Sequence, residues 1–366
     1  MKQTVFLLYE KRLKDLVQRL RSGYLATSLR WTEDHYKILQ KADCRAQAAS
    51  WRYYYLCIGT LISFFTRSIL VSYGSALGLE ILNQGNQTVK TLVFKAWFPF
   101  DIQQPGNFEI AFCFQIISCI MGPAVNAGMD TLLVSVIINC CGEFKVLKYS
   151  LRTIRERAEY LLASEKLHKM ESFSASEALE CENSRREQPG FSTANFRESV
   201  TTCKGQNENI KEAHYLQEDL DSKSDKCLLE CIHHHQYILE LVENMENLLN
   251  PVLFFQFFGS TCTICLILFY LALNLDSDGV MDQLSFCGLL AVALSQLLLF
   301  CWYGNDLTYE SDSLTKAIYD TPWIDASMYF RKNMRIMISR SMKPSYLTGG
   351  KLYIMSLETY RAVRSF

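Results

Sequence analysis

The chain has 366 residues, 49% hydrophobic and 13% aromatic, with a formal net charge of −1. Its charge is gathered in three polar blocks separated by long uncharged runs, which excludes an ordinary water-soluble fold; nor does a near-zero net charge point to nucleic acid as a partner.

Residues 1–52 form a basic, aromatic-studded segment that reads as helical and cytosolic. Its only early apolar stretch, Val5–Tyr9, is followed at once by Glu10-Lys11-Arg12, so no cleaved secretory signal is evident. The first span is expected over 53–79, interrupted by Arg67. An Arg at that depth is costly, so it should face a cavity or a partner; a water-filled vestibule with no direct role is the competing reading. An outer loop over 80–108 follows, with the sequon Asn86-Gln87-Thr88 and the element Trp97–Asp101. Aromatics beside Pro99 suit interfacial anchoring, and a lid over a ligand cavity is the alternative.

The second span is expected over 109–141, with Asp130 as the only charge between Ile110 and Cys141 and Gly122-Pro123 as a kink. At 1.5 Å per residue this run is longer than a bilayer core of about 30 Å requires, so its inner end should project into the cytosol. Block 142–250 divides into a charged amphipathic helix over Glu143–Leu162, a stretch over 163–224 whose polar composition favours disorder, and a helix over Lys226–Asn250. Asn250-Pro251 opens the third span, 251–275, and the short loop 276–282 makes the fourth, 283–304, its antiparallel neighbour. Block 305–350 returns to charged, helix-periodic sequence with a break at Gly349-Gly350, and 351–366 begins a further apolar element.

The runs together define an all-α, polytopic helical membrane protein. Lys and Arg concentrate in 1–52, 142–250 and 305–350, are reduced to Lys90 and Lys95 in the first outer loop, and are absent from 276–282. That alternation places the N-terminus in the cytosol and Asn86 outside, open to glycosylation. Neither outer loop contains any of the 14 cysteines, which are expected to be mostly free thiols.

Catalytic constellations are scarce. Cys227, Cys231 and His235 recur on one helical face, but no matching fourth metal ligand is apparent. No phosphate loop, nucleophile elbow or zinc motif appears, so neither an enzyme, a metal nor a cofactor is expected. Span walls rich in Phe, Leu and Cys suit a cavity for a small apolar ligand, and suit ordinary helix packing equally well.

The sequence Trp302-Tyr303-Gly304-Asn305, followed by Glu310-Ser311, Ala317-Ile318-Tyr319 and Trp323, resembles the signature between the sixth and seventh spans of insect odorant receptors. The resemblance continues through Arg331-Lys332, Met337, Arg340-Ser341, Pro344, Gly349 and Ser356-Leu357-Glu358-Thr359-Tyr360. Upstream, Trp97–Asp101, Asp130 and the Leu228–Leu253 helix with His235-Gln236 fit the same family. It implies that the four spans are the family's third to sixth, that the chain begins after the second, and that it stops as the seventh, pore-lining helix begins.

The resemblance further implies a tuning subunit of an odorant-gated, non-selective cation channel. Such a subunit assembles with a shared co-receptor subunit, as a hetero-oligomer expected to be a tetramer, in the plasma membrane of olfactory sensory neurons. The co-receptor itself is disfavoured by the C-terminal sequence. By the same resemblance, small volatile ligands bind between spans in the outer half of the membrane, pointing to Ile69, Tyr73, Leu77, Phe112, Ile116 and Phe286, while Tyr319 and Trp323 either join a cytosolic intersubunit anchor or close a local core. The alternatives are a gustatory-type chemosensory channel and a truncated receptor without function. A G-protein-coupled receptor would need the opposite orientation, and a transporter should show internal repeats.

Overall fold

The computed structural model describes residues 9–22, 33–73, 92, 96–101, 104, 106–168, 170, 206–273 and 280–364, apart from side chains at 67, 68, 70–73, 206–214, 280–282 and 364. Leu77, Asn86 and the side chains of Arg67 and Tyr73 lie outside the described residues.

The described chain is built almost wholly of helices. α1 (Glu10–Ser22) buries Leu13 and Leu16 and turns its charges outward, where Arg19 pairs with Asp15 at 3.1 Å and with Glu240 at 2.8 Å. α2 (Glu33–Tyr73) starts with Glu33 and Asp34 in its first turn, where carboxylates complement the helix dipole. Its Ala42, Ala46 and Ala49 recur at helical spacing and are buried, which lets another helix come close. α3 (Asn107–Arg152) takes that place: a Cβ added at Gly142 would stand 3.0 Å from the Ala42 Cβ.

α3 runs through Pro123 and ends at a one-residue turn at Thr153, before a helical stretch over 154–168. α4 (Gln206–Leu273) is continuous through Pro251, and α5 (Val280–Tyr319) through the Tyr303-Gly304-Asn305 motif. α3, α4 and α5 are each long and apolar enough to cross a membrane. The expected disorder over 163–224 is corrected at both of its margins, which are helical to 168 and from Gln206 onward. Polar composition gives little apolar surface for nucleating a helix, but extending one from the buried Cys227-Leu228 turn adds a hydrogen bond per residue fixed. Side chains then support it: Lys223 pairs with Glu165, and Gln217 donates to Asp221 at 3.0 Å.

α6 (Met328–Ser341) is capped by the Ser327 hydroxyl, which accepts from the Phe330 amide at 3.0 Å. A small hairpin follows, with β1 (Thr348–Gly349) antiparallel to β2 (Tyr353–Ile354), before α7 (Leu357–Arg364). The apolar element expected to begin at Lys351 therefore becomes helical only at Leu357. Gly350 and Lys351 both take positive φ, 63° and 58°, and the Leu352 amide donates to the Gly349 carbonyl at 3.1 Å. Those are the marks of a type I′ turn, whose twist suits a two-stranded hairpin.

The residues fall into two compact units. The first comprises 1–145, 238–311 and 344–366, and contains the apolar parts of the long helices together with the hairpin. The second, 146–237 and 312–343, has its own core of Leu147, Leu151, Leu228, Leu314, Ile318 and Met334. Within it Arg157 pairs with Glu230 at 2.6 Å, and Ser327 donates to Asp225 at 3.0 Å.

Candidate ligand site and signature hub

In the first unit, the C-terminal part of α2 and the N-terminal parts of α3 and α5 meet in an aromatic cluster. Phe64, Phe108 and Phe112 are buried together, with Phe65, Leu92, Ile116, Cys119 and Leu289 packed against them. Phe108 and Phe112 lie one helical turn apart on α3 and stack at 5.7 Å between centroids. Phe64 meets the edge of Phe286 at 6.0 Å, and Phe286 faces Tyr270 of α4 at 4.2 Å. Each such ring pair contributes about 0.5–1.5 kcal/mol beyond its buried area. The same helices are also joined by a polar contact: the hydroxyls of Ser63 and Ser285, which precede Phe64 and Phe286 in sequence, are 3.3 Å apart.

Three of the sequence-chosen residues thus belong to one cluster, Phe112 and Ile116 from α3 and Phe286 from α5. Ile69 does not join it and is 42% exposed. It lies five residues after Phe64, about 140° round the helix from the face carrying that ring. Phe108 was legible from Phe112 at i−4, whereas Phe64 and Tyr270 required knowledge of how the helices are rotated. Above the cluster, Phe98 of the Trp97–Asp101 element packs edge-on against Phe114 at 6.5 Å, while Trp97 remains exposed.

Deeper in the same unit, the Gln296 amide of α5 donates to the buried Asp130 carboxylate of α3. The hydrogen bond helps offset the cost of burying this charge.

The Tyr303-Gly304-Asn305-Asp306 signature is explained by its contacts. Arg45 of α2 pairs with Asp306 at 2.6 Å and places its guanidinium 5.5 Å from the centre of the Tyr303 ring. On the next turn of α5, Lys145 pairs with Glu310 at 3.4 Å. Gly304 faces the chain just before α7, where a Cβ would stand 2.7 Å from the Met355 carbonyl oxygen. Only glycine admits that approach.

The hairpin is fastened to α4 by a second set of contacts. Glu246 accepts from the Thr348 amide at 2.8 Å, from the Thr348 hydroxyl, and from the Asn250 side-chain amide at 3.1 Å. The Tyr353 hydroxyl donates to the Leu253 carbonyl at 3.2 Å, and its ring lies 4.3 Å from that of Phe257. Gly349 leaves room for the Tyr353 ring, and Gly350 for Phe254. From sequence the two glycines mark only a break; the positive φ of Gly350 and the close packing at both are tertiary facts.

In the second unit, Tyr319 is exposed and Trp323 half-buried, their rings edge-on at 6.4 Å. His235 is held neutral there: burial, with smaller contributions from Arg340 and His234, pushes its pKa down to about 4. Burial pushes the Cys231 thiol up to about 12, although nearby Arg157 opposes the shift. Among the described residues no group of three His, Cys, Asp or Glu is placed to hold a metal.

Long helices apolar enough to cross a membrane, packed together through an aromatic cluster, mark a polytopic helical membrane protein. The family model described as 7tm Odorant receptor matches residues 1–366, and the chain belongs to that family. It is 24% identical over 371 residues to Odorant receptor 83a of Drosophila melanogaster, covering 98% of this chain and 75% of the relative. Putative odorant receptor 85e of the same fly is 25% identical over 277 residues, covering 75% of this chain and 56% of that one. The odorant receptor coreceptor of Anopheles gambiae is 24% identical over 328 residues, covering 83% and 68%. The fold is similar to the solved olfactory receptor OR5 of Machilis hrabei in complex with eugenol, with a TM-score of 0.67 and 13% identity, covering 99% of this chain and 74% of OR5.

Proposed function

We propose that the protein is a tuning subunit of a heteromeric, odorant-gated cation channel, partnered by a coreceptor subunit in the plasma membrane. The aromatic cluster of Phe64, Phe108, Phe112, Phe286 and Tyr270 carries this reading, because its rings come from four helices. Apolar, aromatic walls suit a small volatile ligand held mainly by dispersion. A ligand entering between the rings would shift α2, α4 and α5 relative to one another. The contacts of Gly304 with Met355 and of Glu246 with Thr348 would pass that shift to α7. Tyr319 and Trp323 are proposed to contribute to an intersubunit anchor. In this reading Ile69, Tyr73 and Leu77 also contribute to ligand binding, the N-terminus is cytosolic, and Asn86 is glycosylated outside.

The test is co-expression with an insect coreceptor in oocytes, recording currents to a panel of small volatiles in which eugenol is the first probe. Ligand-evoked cation currents beyond those of the coreceptor alone are expected. Currents identical to the coreceptor alone across a broad panel, with the subunit at the cell surface, would contradict the proposal.

A further inference from the structure

The 326–357 segment of this nearly neutral chain contains Arg331, Lys332, Arg335, Arg340, Lys343 and Lys351, and no Asp or Glu. Most of these cations are carried by α6 or lie just beyond it. Phe330, Met334, Met337 and Ser341 occupy the buried face of that helix. Arg335, Ser339 and Lys343 are spaced at i, i+4 and i+8, and Ile336 and Arg340 lie beside them. Together these five residues line a shallow, largely open groove of about 470 Å³. Arg340 is oriented by donating to the Lys343 carbonyl at 3.2 Å, yet among the described residues none of the three cations forms an ion pair. Like charges crowded on a helix repel, so the groove is built at a cost that a bound anion would offset.

We propose that this α6 groove binds a phosphate-bearing polyanion. Arg335 and Arg340 would each present a planar fork to phosphate oxygens, Lys343 a mobile point charge, and Ser339 a neutral hydroxyl donor. Exposed Met328, Ile336 and Met342 border the basic face, and apolar residues of this kind suit the edge of a lipid headgroup site. The shared chemistry is that of inositol phosphates, either free in the cytosol or carried on a lipid. The site is independent of the odorant-binding reading.

The test uses the purified protein in phosphatidylcholine nanodiscs, titrated with fluorescent inositol hexakisphosphate. In parallel, nanodiscs containing phosphatidylinositol bisphosphate are probed for footprinting protection of 335–343. Saturable binding in either arm is expected, and the arm that responds tells the free from the lipid-borne source. Arg335→Gln combined with Arg340→Gln should weaken it by about tenfold or more, and Arg335→Lys with Arg340→Lys should weaken it less. Lys41→Gln, an exposed cation of α2, should leave it unchanged. The three substituted side chains are all exposed, so equal elution profiles and thermal midpoints establish that the fold is intact. Absence of saturable binding in both arms would overturn the proposal. So would equal weakening by Lys41→Gln, or equal competition by a polyglutamate peptide, since the groove would then respond to charge alone.

Discussion

Replacing Glu246 with Ala removes the carboxylate that holds the hairpin on α4. The Thr348 amide and hydroxyl lose this acceptor, and the Asn250 side-chain amide loses one of its acceptors. A hydrogen bond to a charged group contributes about 1.5–3 kcal/mol. The three are not additive here, because Glu246 is half-buried and Asn250 still reaches the Thr348 hydroxyl at 2.6 Å. The loss should therefore be about 2–3 kcal/mol, concentrated in the hairpin. Amide hydrogen exchange reads this locally: about 2 kcal/mol corresponds to roughly thirtyfold faster exchange at the Thr348 amide through local opening. A second substitution, Thr348→Val, should produce little further change once Glu246→Ala is in place, because the two residues act through one another. If Thr348 exchange changes by less than about twofold in the Glu246→Ala variant, the carboxylate does not hold the hairpin and its assigned role in passing movement to α7 fails.

Gly304→Ala places a methyl group against the Met355 carbonyl and should cost about 1–3 kcal/mol, seen as a lower thermal midpoint; an unchanged midpoint would mean that the contact yields freely. Asp130→Asn keeps an acceptor for Gln296 and should be close to wild type, whereas Asp130→Ala should lose about 1–3 kcal/mol; equal midpoints for the two variants would refute the pairing. His235, pushed down to about 4 from an ordinary value of 6.5, binds more protons unfolded than folded between those values. Its contribution is complete above pH 6.5 and is lost as pH falls toward 4, the loss reaching about 2 kcal/mol at pH 5. The stability of His235→Gln should therefore fall less between about pH 7.5 and 5 than that of the wild-type protein, and parallel curves would show that His235 is not buried neutral.

Length and charge alone carry much of the architecture, because a membrane demands unbroken apolar runs and internally paired backbones. The positions of α3, α4 and α5 follow from that demand. What composition misjudged was 206–224, where a polar stretch is carried as helix by the apolar residues that follow it. The hairpin was hidden for a different reason: two-residue strands have too few positions to show alternation, and the turn depends on Lys351 taking a positive φ. In the candidate ligand site, Phe112, Ile116 and Phe286 could be chosen by depth in the membrane. Ile69 could not be distinguished from Phe64 in that way, because depth does not report which face of α2 meets α3 and α5.

The most direct test of the odorant-binding reading compares residues inside the aromatic cluster with one outside it. Phe286→Leu and Phe112→Leu alter the aromatic cluster, while Ile69→Ala trims a residue outside it. Each is co-expressed with the coreceptor, its surface level is matched by biotinylation, and its dose–response curve is recorded against one activating volatile. If the cluster binds the ligand, the two Phe variants shift the half-maximal concentration by about tenfold or more, a binding loss of about 1.4 kcal/mol, and Ile69→Ala shifts it less. Superimposable curves for both Phe variants and the wild type, at equal surface levels and maximal currents, would place ligand binding elsewhere.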